Sequence, residues 1–122
     1  KDIDLIRLIT PTTDQKRLST ILSNASGFLY YVTVTGITGQ NSANVEDLKK
    51  SINAIKLSTK LPIVAGFGIK NKDDVEQISA FTDGVVVGSS IVNIIKDNLN
   101  DNTKMINAIR VFTKDLKEGI KE

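Results

Sequence analysis

The chain contains no cysteine and no histidine. That excludes thiolate chemistry, disulfides, zinc sites built from Cys and His, and any catalytic triad that needs an imidazole. Aromatic residues make up only 5% of the sequence, and no basic stripe carries interleaved aromatics, so nucleic acid is not an expected partner. No apolar run is long enough to cross a bilayer, and the opening Lys1-Asp2-Ile3-Asp4 does not read as a signal peptide. The expectation is a cytoplasmic protein without a membrane partner. Charge of one sign is also nearly lacking. Sixteen basic residues face fourteen acidic ones for a net charge of +2, spread along the chain as a solvated surface. The sequence does not open on methionine and enters a strand almost at once, so a fragment or a processed piece is expected.

What is present is a repeated alternation of short apolar runs and amphipathic segments across 122 residues, enough for one structural unit with a real core. Leu5-Ile6-Arg7-Leu8-Ile9 reads as a first strand, stopped by Thr10-Pro11-Thr12-Thr13. Thr12 or Thr13 is the expected cap of a helix with Asp14 in its first turn, Leu18, Ile21 and Leu22 on its inner face, and Gly27 as a left-handed cap at its end. Residues 28–34 are rich in aromatic and β-branched types and read as a second strand. Val45, Leu48, Ile52 and Ile55 then mark a helix with Asn44 as its expected cap. A third strand over 62–66 leads to a helix capped by Asn71, with Val75, Ile78 and Phe81 inside. A fourth over 85–87 leads to a short helix holding Ile91, Val92, Ile94 and Ile95, and the last helix carries Met105, Ile109, Phe112 and Leu116 on one stripe.

The strands lack clean alternation, which predicts a parallel sheet buried on both faces. Four βα units with an added terminal helix fit either a small doubly wound sheet or half of an eight-stranded β/α barrel, whose full form needs roughly 250 residues. No Gly-x-Gly-x-x-Gly follows a strand, so the dinucleotide fingerprint is absent. The last two strands both end in glycine and run into helices, as Gly66-Phe67-Gly68 and Gly88-Ser89-Ser90. Barrels of this kind often build a phosphate site from the loops after strands seven and eight with a short extra helix. The expected fold is therefore α/β, the C-terminal half (strands 5–8) of a (β/α)8 TIM barrel, with residues 1–122 as a single unit.

Each glycine turn has an ordinary reading. Gly66-Phe67-Gly68 can be a tight turn with an aromatic core plug, and Gly88-Ser89 a simple helix cap. Side by side they present bare backbone N–H groups and a helix N-terminus, which together cradle an anion, a phosphate above all. By the same ordinary reading Tyr30 is a core residue, Thr38 a loop hydroxyl, and Lys49, Lys50, Lys70 and Lys72 a solvated face.

Three blocks, Phe28 to Gly39, Pro62 to Ile69 and Asp83 to Val92, occur in an order and spacing that resemble the α subunit of tryptophan synthase, and Pro11 after the first strand fits as well. The resemblance spans essentially the whole chain. It implies a lyase of tryptophan biosynthesis that cleaves indole-3-glycerol phosphate in a retro-aldol step to indole and glyceraldehyde 3-phosphate. It implies that Gly39, Gly68, Gly88 and Ser89 hold the phosphate, that Phe67 borders that pocket, that Tyr30 and Val86 line the substrate cavity, and that Thr38 neighbours a catalytic carboxylate. It further implies a partner β subunit carrying pyridoxal phosphate, with no cofactor or metal on this chain. Family members use two carboxylates on early strands of the barrel, and no residue here matches them; the chain also has Val34 where many members carry a basic residue. The chain read this way carries half a site and is inactive alone. An uncovered half-barrel also favours pairing with its missing N-terminal half or with a second copy of itself. The other readings are a different phosphate-binding barrel enzyme, of sugar or thiazole metabolism, and a non-catalytic, self-associating half-barrel.

Overall fold

The computed structural model describes residues 3–32, 42–66 and 68–120. Its elements follow in the order β1 (Arg7–Ile9), α1 (Gln15–Ser23), β2 (Leu29–Val32), α2 (Ser42–Lys56), β3 (Ile63–Gly66), α3 (Lys72–Ser79), β4 (Gly84–Val85), α4 (Ser89–Asp97) and α5 (Asn102–Lys117). The strands form one sheet in sequential order, β1-β2-β3-β4, and every pairing is parallel. Each strand leads to a helix that returns the chain to the start of the next, so every strand-to-helix loop meets the same sheet edge.

The pleat sorts the strand residues into two faces. Ile9, Tyr31, Ala65 and Val85 lie in one register row, and Arg7, Leu29 and Ile63 in another. From this face Ile9, Leu29, Tyr31, Ile63 and Ala65 are buried with Leu48, Ile52 and Ile55 of α2, Val75 and Ile78 of α3 and Leu116 of α5. Leu18, Ile21 and Leu22 of α1 and Phe112 of α5 pack around that core. Each fully buried Ile, Leu or Val contributes about 1.5–3 kcal/mol relative to exposure, so this layer holds the fold together.

The opposite row, Leu8, Tyr30, Val64 and Gly84, has no helix over it. Leu8 is 60% exposed and Val86, just past the end of β4, is 36% exposed. Among the described residues helices cover one face, and on the other Leu8 is exposed and Tyr30 and Val64 are half-buried, as the half-barrel reading with its uncovered apolar face expects and the reading of both faces buried does not. The apolar content on both sides is read from the sequence, and no helix among the described residues covers the second side.

Local chemistry explains where elements start and stop. The α1 cap is Asp14, whose Oδ1 accepts from Arg17 N at 2.8 Å, and neither Thr12 nor Thr13 caps it. Thr13 is spent one step earlier. Its N–H donates to Thr10 O at 3.0 Å and its hydroxyl accepts from Thr10 N at 3.2 Å, closing the turn that holds Pro11. Asn71 caps α3 as expected, with Oδ1 accepting from Asp74 N at 2.9 Å. Helix α2 begins at Ser42, two residues before Asn44. Gly27 does have a positive φ of 71°, but α1 ends with Asn24 as its cap, so Gly27 belongs to the turn into β2.

The β3–β4 end of the sheet is pinned by Asp83. Its N–H donates to Ile63 O at 2.9 Å, and its Oδ2 accepts from Ile63 N at 2.8 Å. Lys56 Nζ reaches Oδ1 at 3.3 Å. β4 is shorter than the expected 85–87, although Val86 N still donates to Ala65 O at 2.8 Å. The buried Arg7 Nε has no hydrogen-bond partner, and nothing in the structure explains it.

Candidate functional site

The site-bearing edge lies at the C-terminal ends of the strands. Of the residues expected there, Thr38, Gly39 and Phe67 lie outside the described residues, and Gly68, Gly88, Ser89, Tyr30 and Val86 lie within them. Gly68 follows β3 with φ +64°, a left-handed conformation that favours glycine. A Cβ built on it would meet nothing within 4 Å. The glycine answers a backbone need there, and among the described residues nothing crowds it.

Gly88 precedes α4 as its N-cap residue, and no side chain caps that helix. A Cβ on Gly88 would also meet nothing within 4 Å. The contrast with other helices is chemical. Asp14, Asn71 and Asp101 cap α1, α3 and α5 with side-chain oxygens. The first turn of α3 further carries Asp73 and Asp74, and Asp74 Oδ2 accepts from Lys70 N at 2.8 Å. The N-terminus of α3 is thus satisfied and made acidic by its own residues. That of α4 has no acidic residue in its first turn. Among the described residues no side chain caps its first N–H groups, which carry the roughly half positive charge of the helix dipole.

Tyr30 and Gly66 meet on the open face. A Cβ on Gly66 would collide with the Tyr30 hydroxyl oxygen and lie 2.8 Å from its Cζ. Gly66 therefore makes room for the phenol, which lies along the sheet toward the glycine turn after β3. Similarly, a Cβ on Gly84 would lie 3.2 Å from Val64 Cγ1. Tyr30, Val64 and Val86 therefore lie on one face of the sheet, toward the Gly68 and Gly88 turns.

General acid–base chemistry is a different matter. Near this edge Asp14 Oδ1 caps α1 and Asp74 Oδ2 accepts from Lys70 N ahead of α3, and Asp83 is engaged at the opposite edge. Among the described residues no three His, Cys, Asp or Glu side chains gather to hold a metal ion.

The sequence reading missed Ser90. Its Oγ donates to Ile69 O at 2.6 Å, joining the first turn of α4 to the loop after β3. A bond between residues 21 positions apart has no local sequence signal.

A sequential, all-parallel four-stranded sheet with helices on one face and glycine turns at its C-terminal edge is half of a β/α barrel. Solved structures bear this out. A chain from Aquifex aeolicus VF5 superposes with a TM-score of 0.79 at 32% identity, covering 98% of this chain and 42% of that one. The tryptophan synthase subunit alpha of Legionella pneumophila superposes with a TM-score of 0.81 at 30% identity, over 97% of this chain and 42% of that one. Tryptophan synthase of Mycobacterium tuberculosis gives 0.78 at 26% identity, over 98% and 43%. This chain therefore spans about two-fifths of the length of the chains it matches. The family model described as tryptophan synthase alpha chain matches residues 1–121, and the chain belongs to that family.

Proposed function

We propose that this chain forms the phosphate- and indole-binding half of a lyase site in tryptophan biosynthesis. The reaction is retro-aldol cleavage of indole-3-glycerol phosphate to indole and glyceraldehyde 3-phosphate. The observation that carries the reading is the uncapped N-terminus of α4 at Gly88–Ser89 beside the left-handed Gly68, at the end of the sheet face that carries Tyr30, Val64 and Val86. In this reading the N–H groups of Gly39, Gly68, Gly88 and Ser89 hold the phosphate, the Ser89 hydroxyl assists, and Phe67 borders the pocket. Tyr30 and Val86 contact the rest of the substrate, and Thr38 stands next to a carboxylate supplied from outside this chain.

Cleavage requires a proton at indole C3 and a base at the glycerol hydroxyl. Asp14 Oδ1 caps α1 and Asp74 Oδ2 accepts from Lys70 N ahead of α3, and in this reading the acid–base pair comes from outside this chain. The open apolar row of the sheet supports coverage by an N-terminal half-barrel, or by a second copy where that half is missing. Indole then passes, in the cytoplasm, to a β subunit that holds pyridoxal phosphate; none of this chain's residues is assigned to that cofactor.

Indole release from indole-3-glycerol phosphate tests the proposal. The protein at its full natural length is expected to turn over, and residues 1–122 alone are expected not to. A full-length protein that binds the substrate without releasing indole overturns the activity. Clear release by residues 1–122 overturns the division of labour.

A further inference from the structure

We propose that Ser90 is a positioning residue that holds the two glycine turns at the spacing an anion needs. This rests on the phosphate-binding reading above and adds a residue to it. Gly68 and Gly88 sit on separate loops, after β3 and β4, and an anion shared between them is bound well only if both sets of N–H groups keep a fixed separation. Neither glycine has a side chain to fix its own loop. The strand pairing stops short of the turns, since the last β3–β4 bond observed runs from Val86 N to Ala65 O.

Beyond that point the bond from Ser90 Oγ to Ile69 O, at 2.6 Å, spans the gap. It joins the residue directly after Gly68 to the residue two after Gly88. Both ends of the tether are rigid. Ile69 is 2% exposed and part of the core, and the Lys70–Asn71–Asp74 cap network fixes the chain immediately beyond it. On the other side Ser90 lies within α4, whose Val92 N donates to Gly88 O at 3.1 Å. The Ser90 hydroxyl gives its proton to Ile69, so it acts on the anion through the loop spacing and not by donating to the anion itself.

Isothermal titration of inorganic phosphate into the protein at its full natural length tests this. The unmodified protein, Ser90→Ala and Ser90→Thr are compared, and thermal unfolding is recorded for each. Loss of one part-buried hydrogen bond sets the expected scale, roughly fivefold weaker binding in Ser90→Ala. Ser90→Thr, which keeps the hydroxyl, is expected to restore most of that affinity. Amide exchange at Gly68 should quicken in Ser90→Ala and not in Ser90→Thr. Full phosphate affinity in Ser90→Ala, with or without a lowered melting temperature, overturns the inference and leaves the phosphate-binding reading standing. A Ser90→Thr variant as weak as Ser90→Ala also overturns it. If the unmodified protein fails to bind phosphate, the phosphate-binding reading falls, and this inference falls with it.

Discussion

Gly66→Ala tests the packing of the open face most sharply. Gly66 has no positive φ, so its backbone accepts alanine without strain. In a chain with free space at that point the substitution would stabilise by about 0.4–1 kcal/mol, through lower entropy of the unfolded state. Here the new methyl meets the Tyr30 hydroxyl oxygen and lies 2.8 Å from Cζ and 3.1 Å from Cε2. Forcing a methyl into occupied space costs about 1–3 kcal/mol. The net expectation is a loss of about 0.5–2 kcal/mol, borne by one neighbour. A double-mutant cycle isolates that neighbour. Gly66→Ala is measured by urea unfolding in the unmodified protein and again in a Tyr30→Ala background, where it should be neutral or mildly stabilising. An equal cost in both backgrounds would refute the assignment of Tyr30 as the group that keeps position 66 a glycine.

Two further substitutions separate stability from function. Asp83→Ala should cost about 1–2 kcal/mol in chemical unfolding, because a carboxylate bond to the Ile63 amide is lost where β3 begins. Lys56→Met should cost roughly 0–1 kcal/mol, since that ion pair is 37% and 44% exposed at its two side chains; equal losses for the two variants would contradict this ranking. Gly88→Ala should leave stability within about 0.5 kcal/mol, as its Cβ meets nothing within 4 Å. It should still weaken phosphate binding roughly tenfold, a loss of about 1.4 kcal/mol, because the methyl occupies the space in front of the α4 amides. Unchanged binding in calorimetry would count against the anion lying there.

The sequence carried the four βα units because each rests on a local signal: the aromatic and β-branched run at Leu29–Val32, the Leu48–Ile52–Ile55 spacing, and Asn71 three residues before Asp74. What escaped it depended on contacts between distant residues. The apolar run from Leu5 yields only three strand residues, and the Leu5 amide donates instead to Ser26 Oγ at 2.9 Å. Thr13 and Asp14 both had the chemistry to cap α1, and the choice between them turned on the bond from Thr10. The apolar second face was legible in the strands' lack of alternation, and Val64 and Tyr30 there have no helix over them among the described residues. The Gly68 and Gly88 turns were legible because glycine between a strand and a helix is a strong local punctuation signal. Ser90 was not, since serine in a first helical turn is commonplace.

In the proposed function an anion binds between the Gly68 turn and the start of α4. Titration of inorganic phosphate into the isotope-labelled protein, followed by amide resonances, tests it most directly. Saturable shifts with one dissociation constant are expected at Gly68, Gly88 and Ser89, and little change at Asn71–Asp74, where α3 is capped by its own side chains. Shifts confined to lysine-rich surface such as Lys49–Lys50, or no saturable shift at the glycine turns, would contradict it.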